Sequence, residues 1–332
     1  MINKKKDERI TRKFLTFLDL EVEKLISTNR FGLAENYKSS RRSFQRYLIT
    51  LNKKDILLRK VNKELLTGYQ QWLHNNGVKR NTSVFYMRNL HAAYNKASAQ
   101  GLVTDTKPFA TVHTTITDTD KRAVTPDIIR KISSLNITSG LIRAGHDPNR
   151  KTFLRMHREL TFARDVFTFC FCARGMTFVD FAYLKHYNIQ HGTIVYERRK
   201  TRQLIRVKIQ DKMGDFINKY ATTDGPYLFR VLTATNESET HKQYATALRR
   251  YNKHLKKLSE MLDADINLTS YVSRHSWATA AYHADIPLAH ISEAMGHNSE
   301  QTTRIYLKSL ESSKIDNENE LLLNKIFNIA VF

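Results

Sequence analysis

The chain predicts a mainly α-helical protein with one small β hairpin, organised as two domains. Three observations carry this reading. Apolar residues recur at helical spacing through the N-terminal third and again toward the C-terminus. Only the region of residues 192–209 alternates apolar and polar side chains in the manner of strands. Between the halves, Thr104 to Asp120 is rich in Thr and Asp and contains Pro108, which reads as a tether. With 332 residues the chain is long enough for a core in each half. The expected boundaries are a helical domain over 8–104, a linker over 105–120 and a second domain over 121–332, whose tail begins at about residue 310.

Four helices account for the first domain. Phe14, Phe17, Leu18, Val22, Leu25 and Ile26 form one apolar stripe, and Ala34, Tyr37, Phe44, Tyr47 and Leu48 a second. Leu65, Leu66, Tyr69, Trp72 and Leu73 form a third, and Val84 to Ala99 a fourth. Gly32, the Asn75-Asn76-Gly77 string and Gly101 mark the breaks. Lys79-Arg80-Asn81-Thr82, followed by Tyr86 and Arg88, opens the fourth helix, with Asn81 or Thr82 as its cap. Basic side chains at a helix N-terminus suit anionic phosphates, although a solvated basic face explains any one of them equally well.

The second domain opens at Lys121-Arg122-Ala123-Val124, where Arg122 is a further basic candidate. Thr161 to Cys172 reads as an apolar helix, leading into Ala173-Arg174-Gly175-Met176-Thr177-Phe178-Val179-Asp180. Its Cys170 and Cys172 are the chain's two cysteines; their spacing points them apart on a helix, so buried free thiols are expected rather than a disulfide or a metal pair. Gly192 to Glu197 and Leu204 to Ile209 form the hairpin around Arg199 to Gln203. From Tyr271 to about Ala284 helical spacing returns with Ser270 as cap, and Ala284-Asp285-Ile286 turns the chain before Pro287 opens another helix. Gly296 ends that helix, leaving His297 at a junction, and Asn298-Ser299 caps a third that carries Thr302, Arg304 and Tyr306. After an acidic stretch from Asp316 to Glu320, Leu321, Leu322, Leu323, Ile326 and Phe327 give the tail an apolar helix in need of a groove.

Arg274, His297 and Tyr306 are the residues whose chemistry converges. Attack on a phosphodiester builds negative charge on the non-bridging oxygens, and without a metal only fixed guanidinium and imidazole donors can meet it. An arginine fork matches two phosphate oxygens, which a lysine cannot do. A phenol with a reference pKa of about 10 becomes a nucleophile when cations favour its phenolate. Lys+Arg of 54 against Asp+Glu of 32 gives a net charge of +22, suited to a polyanionic partner. A metal-dependent nuclease would need clustered carboxylates, and this region offers mainly Glu293 and Asp285.

Arg274, the Gly296-His297 pair 22 and 23 residues later, and Tyr306 nine residues beyond the histidine together resemble the C-terminal motif of the tyrosine recombinases, the phage integrase family. The resemblance implies a four-helix core-binding, SAM-like domain followed by a mixed α+β catalytic domain. It also implies a hairpin lysine, here Lys200, that protonates the departing 5′-hydroxyl. Two positions depart from the family pattern. Aligning Gly175-Met176 with the family's Gly-Leu pair, and Asp180 with its acidic residue, leaves Thr177 where a first catalytic arginine is expected. Arg174, about one helical turn earlier, could reach the phosphate if its helix were shifted; otherwise it would pair with Asp180 or Glu159. Arg198 is the other candidate, since strand alternation would put it on the face of Lys200. The second departure is Tyr271, which stands where the family has a histidine before the second arginine and can donate a hydrogen bond without carrying charge. His275, the neighbour of Arg274, would point about 100° away from it on a helix. These features together look most like recombinases of mobile or invertible elements from Bacteroides-type bacteria.

The resemblance implies cutting and rejoining of double-stranded DNA through a 3′-phosphotyrosyl bond at Tyr306, with no cofactor and no metal. It implies a tetramer on two DNA sites, the tail docked on a neighbouring protomer or else in cis, with host DNA-bending proteins as further candidate partners. Lys79, Arg80, Asn81, Thr82, Tyr86, Arg88 and Arg122 are the expected DNA contacts. A fold-sharing DNA-binding regulator without the chemistry, and a type IB topoisomerase, are the alternatives. No apolar run approaches the roughly 18 residues of a membrane span, and the N-terminus has no signal-like core, so a cytoplasmic protein is expected.

Overall fold

The computed structural model describes residues 12–112, 115, 123–262, 265–304, 307, 323 and 326. The chain divides into two compact units, residues 1–119 and 120–332.

Among the described residues the first unit is built from α1 (Phe14–Ser27), α2 (Phe31–Thr50), α3 (Lys63–Asn75) and α4 (Arg80–Ala99). Their stripes meet in an aromatic core in which Phe14 lies edge-on to Phe44 at 5.8 Å and Phe44 edge-on to Tyr69 at 5.0 Å. The buried Tyr69 hydroxyl is satisfied by Ser43 at 2.7 Å. The N-terminus of α1 has no local side-chain cap. Asp55, remote in sequence, supplies one by accepting from the amides of Leu15 (2.9 Å) and Thr16 (3.2 Å). Neither Asn81 nor Thr82 caps α4, contrary to expectation. Gly77, at φ +69°, reverses the chain after α3, and the helix restarts at once with Lys79 at its N-cap. Phe109 and Val112, inside the stretch read as a tether, pack into this core.

The second unit is assembled around α7 (Lys151–Cys172), which packs against α5 (Pro126–Ser133), α6 (Ile137–Arg143), α9 (Asp211–Tyr220), α10 (Glu237–Met261) and α11 (Val272–His283). Two further short helices are α8 (Phe178–Ala182) and α12 (Leu288–Ala294). The predicted hairpin is present as β2 (Thr193–Glu197) and β3 (Leu204–Lys208), antiparallel with Glu197 opposite Leu204. The sequence did not announce a third strand, β1 (Ile189–Gln190), which pairs with β2. Inward Ile194, Tyr196, Ile205 and Val207 seat this sheet on a core that includes Phe167, Phe169, Phe181 and Phe229. The architecture is mainly α with a small antiparallel sheet, as the periodicities predict. Cys170 is buried and Cys172 half-buried, both free, and burial pushes both thiols up. Among the described residues no helix is long and apolar enough to cross a membrane.

Candidate active site

The site forms where three chain reversals meet. At the end of α7, Arg174 (φ +57°) and Gly175 (φ +70°) turn the chain through the left-handed region. A Cβ at Gly175 would stand 3.0 Å from the Arg274 Cα, so only glycine permits this approach of backbone to backbone. Arg274, on the first turn of α11, is 2 % exposed and donates from Nη1 to the Gly175 carbonyl at 2.8 Å.

Its other terminal nitrogen, Nη2, donates to the Met295 carbonyl at 2.5 Å. That carbonyl closes α12, where unpaired C=O groups leave partial negative charge. The next carbonyl, Gly296, accepts Nη1 of Arg198 at 2.5 Å and the Thr201 hydroxyl at 2.9 Å. The one after that, His297, accepts the Gln203 amide at 3.0 Å. A helix C-terminus thus holds two guanidiniums side by side and binds the hairpin turn. Arg198 is itself only 2 % exposed, and among the described residues its Nε has no partner.

His297, buried at this junction, approaches Arg274 Nη2 with Nε2 at 3.1 Å and Thr303 Oγ1 with Nδ1 at 2.8 Å. Since a guanidinium can only donate, Nε2 is assigned as acceptor, and the proton sits on Nδ1, donated to Thr303. Burial, then the cations Arg274, Arg198 and Lys200, lower its pKa from 6.5 to about 3. Cations distant from one another in the chain have thus converged on one imidazole.

The structure corrects several expectations. Arg174 is exposed on its left-handed turn and is not among the cations acting on His297. The partners proposed for it are otherwise engaged: Glu159 meets His254 at 3.4 Å, and Asp180 accepts the Thr177 hydroxyl at 2.6 Å and the Arg199 amide at 2.9 Å. Thr177 caps α8. No shifted helix brings Arg174 inward, because the glycine turn sends its side chain to solvent. Arg198 and Lys200 do not share a strand face either. The strand ends at Glu197, Arg198 turns inward, and Lys200 lies exposed in the turn, near enough to act on His297. Ser270 does not cap α11; its amide donates to Asn252 at 2.8 Å and Tyr271 occupies the N-cap position. Tyr271 is 38 % exposed, its ring 5.6 Å from that of His275.

Tyr306 and Arg122 lie outside the described residues. On either side of Tyr306 in sequence, Thr303 bonds to His297, and Leu307 is buried against Ala278, Ala281, Ile291 and Met295 of α11 and the end of α12. In the first unit, Lys79, Arg80 and Arg88 are exposed and Asn81, Thr82 and Tyr86 half-buried at the N-terminal end of α4. Sequence reasoning missed Thr201, Gln203 and Thr303. Nothing local distinguishes them, since each acts by reaching a carbonyl or ring fixed elsewhere in the chain.

Two family models match the chain: Phage integrase SAM-like domain over residues 13–115 and Phage integrase family over residues 170–313. No curated protein matches it. Among solved structures it is similar to a lambda integrase dimer bound to a COC′ core site, at 15% identity over 89% of this chain and 77% of that one, TM-score 0.58. It is similar also to the Tn1549 transposon integrase in complex with a circular intermediate DNA, at 14% identity over 89% and 94%, TM-score 0.55. A third is the XerH site-specific recombinase bound to its difH substrate, at 15% identity over 85% and 78%, TM-score 0.52. The fold, the glycine-histidine junction and both family matches lead to one assignment: the chain carries the SAM-like and integrase domains of the phage integrase family, the tyrosine recombinases.

Proposed function

We propose that this protein is a site-specific recombinase that cuts and rejoins double-stranded DNA through a 3′-phosphotyrosyl intermediate on Tyr306. The observation that carries the reading is the pair of buried guanidiniums, Arg274 and Arg198, held on consecutive carbonyls beside His297. Fixed cations of this kind stabilise the charge that develops on a phosphate in the transition state, and they need no reorganisation to do so.

In this mechanism Arg274 and Arg198 hold the non-bridging oxygens, and Arg198 replaces the arginine missing at Thr177. Arg174 has no role. The negative charge of the bound phosphate favours uptake of a proton from solvent by His297, whose Nε2 then donates to an oxygen, and Tyr271 supplies a neutral donor. The Tyr306 oxygen attacks phosphorus and gives its proton to solvent. The bond from phosphorus to the 5′-oxygen breaks, and the Lys200 ammonium protonates the leaving oxygen. A 5′-hydroxyl of the partner duplex then attacks the phosphotyrosine, and the phenol leaves. The exposed start of α4 supplies DNA phosphate contacts, with Arg122 as a further one.

The same reading includes a tetramer on two sites, the apolar tail docked on a neighbouring protomer, accessory DNA-bending proteins and a cytoplasmic setting. It extends to integrases or invertases of mobile elements of the Bacteroides type. Tyr306→Phe tests it: the variant should bind its site as the wild type does and form no covalent adduct on a nicked suicide duplex. An adduct with this variant would remove Tyr306 from the role. A wild type that binds without ever being trapped would leave the regulator reading that Thr177 favours, and relaxation of plasmids lacking any site would favour a topoisomerase.

A further inference from the structure

We infer that Thr303 is a positioning residue for His297: its hydroxyl fixes the imidazole in the tautomer and rotation that turn Nε2 toward Arg274 and the reacting phosphate. The inference rests on the recombinase reading for what Nε2 meets, but its geometry stands independently. Thr303 is 0 % exposed, His297 is 7 % exposed, and 2.8 Å separates Oγ1 from Nδ1. Water cannot easily replace the hydroxyl at such a place, so its loss would leave a ring nitrogen unsatisfied in the interior.

A hydroxyl suits this position better than the carboxylate that often orients a histidine. A carboxylate beside Nδ1 would favour the imidazolium before any phosphate arrived. Threonine accepts a hydrogen bond from Nδ1–H and adds no charge, so the imidazole stays neutral until an anion enters. The acceptor role also survives the change: with the ring neutral or protonated, Nδ1–H points at Oγ1, and only Nε2 alters, from accepting an Arg274 proton to donating one to phosphate. Thr303 precedes Tyr306 by three residues, on the helical turn 300–304. The bond therefore also anchors the segment that leads to the nucleophile.

Thr303→Val removes the hydroxyl at nearly constant shape, and Thr303→Ser retains it. Two readouts apply to the full-length protein: the ¹⁵N chemical shifts of the His297 ring, which report the tautomer, and single-turnover adduct formation on a nicked suicide duplex. For Thr303→Val the expected result is loss of the pure Nδ1–H signature and a fall in adduct formation of about 10–100-fold, with DNA affinity unchanged. Thr303→Ser should restore both. The inference is overturned if Thr303→Val keeps the wild-type ring shifts, or if serine fails as badly as valine, which would make the γ-methyl packing the cause. A wild type that forms no adduct would sink the recombinase reading instead, and the ring shifts alone would then decide the role of Thr303.

Discussion

Arg198 and Arg174 carry the same charge and opposite fates, and the backbone decides between them. Arg174 sits on a left-handed turn that faces solvent, whereas Arg198 follows the last strand residue and is drawn inward to the Gly296 carbonyl. Arg198→Ala should therefore lower the rate of adduct formation by about 100–1,000-fold, and lysine should not rescue it, because an ammonium lacks the planar fork. Arg174→Ala should stay within a few-fold in the same assay. His297 makes a separate prediction about stability. The folded protein resists protonating it down to about 3, while the unfolded chain takes up that proton below about 6.5. The sign follows: the unfolded state binds more protons in this window, so stability is full above about pH 6.5 and falls as the pH drops toward 3. Denaturant midpoints measured across this range should decline in the wild type and decline less in His297→Gln.

The elements show why some of the site was legible and some was not. Arg274 and Gly296-His297 lie within one run of helices and turns, so their spacing in the sequence reflects their arrangement in space. The hairpin was equally readable, because alternation with β-branched residues is a local signal, and only the two-residue β1 was too short to leave one. Both Arg174 and Arg198 were readable as candidates for the second guanidinium, but the choice between them was not. It depends on a turn at Gly175 and on carbonyls at the end of α12, which no local pattern connects to residue 198. The capping errors at Ser270 and Asn81 have a similar origin, since the amide of Ser270 was claimed by Asn252 and a tight turn after α3 started α4 early. Gly296 tests the junction at this scale. Its φ is +61°, and a Cβ there would lie 2.7 Å from Ile205 Cδ1 and 3.0 Å from Arg198 Cδ. Gly296→Ala should cost about 1–3 kcal/mol of stability, read by denaturant unfolding, and should push the hairpin from the site.

For the whole molecule, a net charge of +22 sets the scale of the interaction with DNA that the recombinase reading calls for. Binding to phosphates releases counterions, so affinity should fall steeply with salt. Replacing either Lys79 or Arg80 by Ala should reduce the slope of log affinity against log salt by about one for each phosphate no longer neutralised. Equilibrium binding to a cognate duplex at a series of salt concentrations measures this, and an unchanged slope would take the α4 terminus out of the interface. The two units were separable in the sequence by composition, yet the anchoring of Phe109 and Val112 in the first core was not, because isolated apolar residues in a polar stretch have no period to betray them. The claim at the centre of this account is that Arg274, Arg198, His297 and Lys200 serve one phosphate attacked by Tyr306. Its most direct test traps the wild-type protein on a nicked suicide duplex in the presence of a chelator, digests the adduct and maps the nucleotide remnant by mass spectrometry. The account predicts a 3′-phosphate ester on the peptide that contains Tyr306. A remnant on any other residue, or one attached through a 5′-phosphate, would contradict it.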